Sequence, residues 1–351
     1  MKKLFAYRLK NARKLRGLSM EQLAQASGVS KQMISKYEKA QSLPGSQLLI
    51  ALAKALEVKP EYFFRPEKIS IDQVNFRKKA RTSKKEIESI KVNILNKLEN
   101  YLEIENILSL QTDFRHPLPE HLIQNPDEVE ELAESLRQNW QIGKDAIGNI
   151  VSLFEKNEIK VVEIARASTE NFDGMATFVN ARFPAIIINR NFNVERKRFT
   201  LMHELGHLLL KINPEFTPKE VERICDRFAG AVLLPREVVF EQIGIKRQRI
   251  SLEELMNIQK EYGISIQAII YRLRSLNIIS QEKLKSFFIK LKTQESFKEK
   301  VNQVRFLGDE KSYRYKQLVY KALSEELISI GKAAELLNCS ISEIQKTLTL
   351  L

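Results

Sequence analysis

The sequence predicts a mainly α, α+β protein, and three observations predict it. Apolar residues recur at helical spacing over most of the 351 positions. Short β-branched apolar runs suited to strands occur at 159–164 and 185–188. Turn signals at Gly17, Gly28 and Pro44 cut the first sixty or so residues into short helices. The length favours two or three domains. With 43% hydrophobic and 29% charged residues, 12 Gly and 10 Pro, real cores can form, and collagen-like, disordered and low-complexity classes are excluded. Two cysteines, Cys225 and Cys339, exclude a disulfide framework and a cysteine-based zinc finger. The basic start lacks the apolar core of a signal peptide, and no run approaches the eighteen or so apolar residues of a membrane helix. A cytoplasmic protein with no membrane partner is expected.

Charge divides the chain. Residues 1–100 hold 22 Lys/Arg and 9 Asp/Glu, a net of +13, which equals the net charge of the whole. The remaining 251 residues hold 35 basic and 35 acidic side chains. Such asymmetry is that of a nucleic-acid-binding module joined to a neutral domain.

Along the chain, residues 1–68 read as one helical domain and 69–125 as a basic helical connector ending in the proline-rich FRHPLPEHLIQNP. Residues 126–290 read as helix, strand, hairpin-like pair and then a long helix from near Val194. Residues 291–351 read as a helical C-terminal module, and no internal repeat is evident. Its ISIGKAAELLNCSISEIQKTL is faintly helix-turn-helix-like but nearly charge-balanced. That balance favours packing or partner docking over a second DNA reader.

In the first domain Ser19 and Ser30 are placed as N-caps, and Gly28 as the turn between two helices. Ile34 and Tyr37 are inward positions on the second of these helices, while Lys31, Gln32, Ser35 and Lys36 face outward. These are groups that bond base edges and phosphates. LAQASGVSKQMISKYEKAQSLPGSQLLIALAKALEV resembles the Cro/repressor (XRE) helix-turn-helix family. The resemblance implies a five-helix domain that binds a double-stranded DNA operator, with Ser30–Lys39 as recognition helix. Carried over by position, Gln22, Ser30, Lys31, Gln32, Ser35 and Lys36 are the DNA contacts. A homodimer is a further expectation.

The second motif is His203-Glu-Leu-Gly-His207, which holds two of the four histidines. On a helix, i and i+4 share a face, so both imidazoles can grip one tetrahedral Zn²⁺. Glu204 is then the general base for the water that attacks a carbonyl. A third ligand is needed, and ERICDRFAGAVLLP follows from Glu222. Arg198 to Pro235 resembles the ImmA/IrrE metallopeptidases, with Cys225 where that family usually carries Ala, a change expected to leave the metal undisturbed. The resemblance implies a zincin-like domain with a small sheet. It points to Glu222 as third ligand and to Asp226 behind the metal shell, accepting the ring N–H of a ligating histidine. Helix geometry agrees. Glu222 and Asp226 share a face, whereas Glu220 lies about 200° round from Glu222. Tyr271 or Arg272 could steady an oxyanion, although the sequence places neither at the metal. His116 and His121, in the proline-rich loop, are expected on the surface.

Together these readings make the chain a DNA-binding zinc metalloendopeptidase that cleaves a repressor or antitoxin-like protein, with Mn²⁺ an alternative metal. The competing reading is a non-catalytic XRE-type regulator whose peptidase-like domain senses metal or a partner. The retained Glu204 argues against it.

Overall fold

The computed structural model describes residues 1–65, 84–110, 113–164 and 172–348. Residues 66–83, the end of the first expected domain and the first part of the connector, therefore lie outside the described residues. The protein is mainly α with a small sheet, and it divides into two compact units, one built mainly on Met1–Ser109 and one on the chain from Leu110 onward.

The first unit holds α1 (Lys2–Leu15), α2 (Met20–Ser27), α3 (Lys31–Glu38), α4 (Ser46–Ala55), a 3₁₀ turn at Pro60–Phe64 and α5 (Lys84–Ile107). The expected fifth helix of the domain is thus a single 3₁₀ turn, opened by Pro60 at its first position. Ser19 and Gln22 form a capping box at the start of α2, and Gly28 ends the helix in the left-handed region at φ 71°. Ser30 then caps α3 by accepting from the Met33 amide. Phe5, Leu9, Leu23, Ile34, Leu52 and Phe63 meet in the core. Arg13 on α1 pairs with Glu38 at the end of α3 at 2.6 Å. The buried Arg8 binds Glu99 of α5 at 2.7 Å.

The second unit begins with β1 (Leu122–Ile123), α6 (Val129–Asn139), α7 (Ile150–Lys156) and β2 (Lys160–Ile164), followed by β3 (Gly174–Val179) and β4 (Phe183–Asn189). The sheet order is β2-β4-β3, with β2 parallel to β4. Asn180 and Ala181, both at positive φ, close the short turn between β3 and β4. The central strand β4 is buried on both faces from Pro184 onward, which accounts for its unbroken apolar run. Edge strand β3 alternates.

Then come α8 (Val194–Leu209), β5 (Lys211–Ile212, parallel to β1) and α9 (Pro218–Leu233). Leu201 and Leu205 of α8 share a core with Phe228 and Val232 of α9 and with Ile186 and Ile188 of β4. Helices α10 (Arg236–Gln242), α11 (Leu252–Tyr262), α12 (Ile266–Ser275), α13 (Gln281–Thr293) and α14 (Glu295–Gln303) follow. A strap past α14 carries Glu310 inward. Its carboxylate accepts from the Ile150 and Val151 amides at the start of α7 and pairs with Arg198 of α8, both residues being almost wholly buried. The chain ends in α15 (Arg314–Ser324), α16 (Ile330–Leu337) and α17 (Ile341–Thr347). Among the described residues no helix is long and apolar enough to cross a membrane.

Candidate metal centre

Two helices build the site. Asn193 caps α8, and a Thr217–Glu220 capping box with Pro218 at the first position starts α9. Glu220 is thereby occupied at the head of its helix. The two helices approach closely at Gly206, where a Cβ would stand 3.3 Å from Cys225 Cβ and from Phe228 Cδ1. The glycine inside the His-Glu-Leu-Gly-His motif is therefore what lets α9 bring its acidic face up to the imidazoles.

His203 Nε2 and His207 Nε2 lie 3.2 Å apart. Glu222 sets one oxygen 3.6 Å from His203 Nε2 and the other 3.7 Å from His207 Nε2. One donor atom from each of the three residues falls within 4.8 Å of the others. Tetrahedral zinc with Zn–N of about 2.0–2.1 Å sets neighbouring ligand atoms roughly 3.3–3.4 Å apart. The donor set thus matches a small divalent cation in chemistry and spacing.

Behind the ligand atoms, Asp226 Oδ1 lies 2.6 Å from His203 Nδ1. It accepts the ring proton there and leaves the Nε2 lone pair facing the centre. Burial opposes charge on His203. Hydrogen bonds to Asp226 and Glu222, with the charges of Asp226 and Glu204, outweigh it and push the group up to about 9. Without metal, the pocket favours positive charge.

The corresponding neighbour of His207 is Cys225, whose Sγ lies 3.6 Å from Nδ1. The expectation that Cys in place of Ala leaves the metal undisturbed does not include this contact. Nothing in the linear order of residues signals it beyond the i+3 spacing from Glu222.

Glu204 is almost wholly buried between the two histidines in sequence. Its side chain packs beside the start of β3. A Cβ on Gly174 would come within 3.0 Å of Glu204 Cγ and 2.9 Å of Thr200 Cγ2.

Other expected residues lie elsewhere. Arg272 donates from its guanidinium to Glu130 at 2.7 Å and to the Leu234 carbonyl at 3.0 Å, both buried. Tyr271 is exposed and stacks on Phe288 with ring centres 5.0 Å apart. Arg272 thus anchors helices and Tyr271 belongs to a surface aromatic pair, and neither contact supports the oxyanion role for which Tyr271 or Arg272 was a candidate. His121 pairs with Glu128 at 2.6 Å, and His116 contacts Leu118.

In the first unit Gln22 accepts from the Ser19 amide and Ser30 from that of Met33, so both side chains serve caps. Lys31 pairs with Glu21 at 3.1 Å. Gln32 and Lys36 are exposed and Ser35 half-buried.

Residues 9–63 match the family model described as Helix-turn-helix, and residues 157–274 match that described as IrrE N-terminal-like domain, of peptidase family M78. No curated protein matches the chain. Among solved structures, the apo form of ComR from S. thermophilus aligns at 15% identity over 96% of this chain and 100% of its own. Its TM-score of 0.18 is too low to carry an argument.

Proposed function

We propose that this chain, which joins an XRE-type helix-turn-helix domain to an IrrE-like peptidase-family domain in the ImmA/IrrE architecture, is a DNA-binding regulatory metalloprotease. Its substrate would be a transcriptional repressor or antitoxin-like protein. The domains run 1–68, 69–125, 126–290 and 291–351. The observation that carries the reading is the convergence of His203, His207 and Glu222 around one point, with Glu204 retained between the histidines.

A zinc ion held by those three residues would polarise the scissile carbonyl and acidify a water; a two-histidine, one-carboxylate set also suits Mn²⁺. Asp226 keeps His203 in the tautomer that ligates. Glu204 takes the proton from the attacking water at its carboxylate and passes it to the departing amine. Its burial excludes bulk water from that proton. Strand β3, at one edge of the sheet and touching Glu204 through Gly174, suits an extended substrate segment added alongside it. The helix-turn-helix domain would bring the peptidase to the operator where its substrate sits, raising local concentration without a new contact.

The test pairs Glu204→Gln with the intact chain. Glu204→Gln should keep fold and metal content and lose hydrolysis of a repressor encoded beside it, because the amide cannot accept the proton. It should also trap that substrate for identification. Near-normal proteolysis by this variant removes the assigned role, and absence of cleavage by the metal-loaded intact chain leaves a sensing regulator.

A further inference from the structure

No internal repeat is evident in the sequence, yet α16 and α17 repeat the geometry of α2 and α3, each pair preceded by a further helix. Ser19 caps α2 and Ser329 caps α16, each accepting from the amide three residues on. Both helices span eight residues and end in the left-handed region, at Gly28 with φ 71° and at Asn338 with φ 52°. The cap amides bond Ala24 and Gln25 in one case, Ala334 and Glu335 in the other. The next amides, of Val29 and Cys339, donate to Ala24 and Ala334 at 3.0 Å in both. Ser30 and Ser340 then cap α3 and α17. Every one of these correspondences between α2–α3 and α16–α17 falls at the same offset, 329 − 19 = 310.

The interior follows the same plan. Leu23, Ala24 and Ile34 are buried, as are Ala333, Ala334 and Ile344. The preceding helix is tied on in each: Arg13 to Glu38 in the first, Tyr320 to Thr347 at 2.6 Å and Tyr315 to the Leu336 carbonyl in the second. The helix-turn-helix family match covers 9–63 and stops far short of this segment.

We propose that α15–α17 is a second duplex-DNA reader, with α17 as its recognition helix. The outward side chains carry the argument. The positions of Gln32, Ser35 and Lys36 on α3 are taken by Ser342, Gln345 and Lys346 on α17, the same three residue types with two exchanged. All three of the latter are exposed. Gln22 is matched by Lys332 and Ser30 by Ser340. Lys31 alone is replaced by an apolar residue, Ile341, which is half exposed and suits a thymine methyl. The acidic residue of α17, Glu343, is folded back as the capping-box partner of Ser340 at 2.7 Å, away from the reading face. Ser342 and Gln345 would meet base edges in the major groove and Lys346 a phosphate. A net charge of only +1 over residues 314–347, five basic and four acidic side chains, predicts weaker, more sequence-dependent binding than that of the first module.

The experiment selects duplexes from a random-sequence library with the full chain, held as Glu204→Gln to prevent proteolysis. Intact protein should enrich two motifs. Lys36→Glu should retain only the second and Lys346→Glu only the first, each variant losing about tenfold in affinity for the motif it no longer enriches. The salt slope on the second motif should fall by about 1 on loss of Lys346. Ser342→Ala and Gln345→Ala, surface changes that leave the core intact, should relax the second motif. The proposal is overturned if Lys346→Glu selects the same motifs at the same affinity and slope as the intact protein. It is equally overturned if Ile341→Asp or Lys346→Glu dissociates a dimer in sedimentation while DNA selection stays unchanged, since α17 would then dock a second copy. Loss of hydrolysis plays no part in either outcome.

Discussion

Glu222 and Asp226 sit one helical turn apart on α9 and face different nitrogens of the histidine pair. Glu222 reaches both imidazole Nε2 atoms, while the shorter Asp226 stops at His203 Nδ1. Glu222→Ala should therefore strip the metal from dialysed protein, and Asp226→Ala should weaken its binding by roughly tenfold to a hundredfold. Glu220→Ala should keep full metal content and show only a small loss of thermal stability, since its carboxylate accepts from the Thr217 amide at 2.8 Å. Elemental analysis of the three variants separates these outcomes. Asp226 or Glu220 ligating while Glu222 turns to solvent would reverse the assignment. Gly174 offers a second check. A methyl there must displace Thr200 and Glu204, so Gly174→Ala should lower turnover at least about tenfold while metal content stays unchanged. Equal turnover in the variant would show that Glu204 tolerates displacement.

At the scale of elements, α6, α9 and α12 are tied together by the Glu130–Arg272 pair. Arg227 of α9 also reaches Glu130, at 3.3 Å. Burial raises the Glu130 carboxyl, but the hydrogen bond and charge of Arg272, with Arg227, more than offset this and hold it below the ordinary carboxylate value. A lowered folded-state pKa means the stabilisation is fully present above the unfolded value of about 4.3 and is lost as pH falls through the folded one. Arg272→Ala leaves the carboxylate buried without its main partner and should cost about 3–5 kcal/mol by chemical denaturation. Glu130→Gln should flatten the acid limb of the stability profile. If Arg272→Ala instead lowers turnover alone, with stability untouched, the oxyanion role regains its footing.

For the molecule as a whole, the basic excess of the first hundred residues predicts DNA binding that weakens steeply with salt. In electrophoretic shifts on duplex selected by the first module, Lys36→Ala should weaken all sequences about equally, and Gln32→Ala should relax sequence preference. Binding insensitive to salt, or unchanged by both substitutions, would separate the charge asymmetry from DNA. The strap bearing Glu310 ties the C-terminal segment to α7 and α8 within the second unit, so deletion of residues beyond 303 should destabilise the peptidase core itself. A truncated chain with unchanged melting temperature would refute that coupling.

Much of this was legible in residue order because it rests on local chemistry. Caps, the left-handed Gly28 and the i, i+4 histidines are set within a few positions of one another, and so is the burial pattern of β2 and β4. The shared face of Glu222 and Asp226 follows from helix periodicity alone. What residue order left open depends on groups far apart in the chain. Arg272 was free to serve an oxyanion until Glu130, 142 positions away, claimed its guanidinium. The contact of Cys225 with His207 is invisible in residue order because the two lie on different helices, which approach closely at Gly206. The helix-turn-helix likeness of α16 and α17 is faint in residue order, where charge balance favours packing or docking; the matching caps, left-handed turns and buried positions emerge only with the backbone in place. Local preferences determined the helices and the candidate metal ligands; packing between helices decided which polar groups were used up in holding the fold and which stayed available for chemistry.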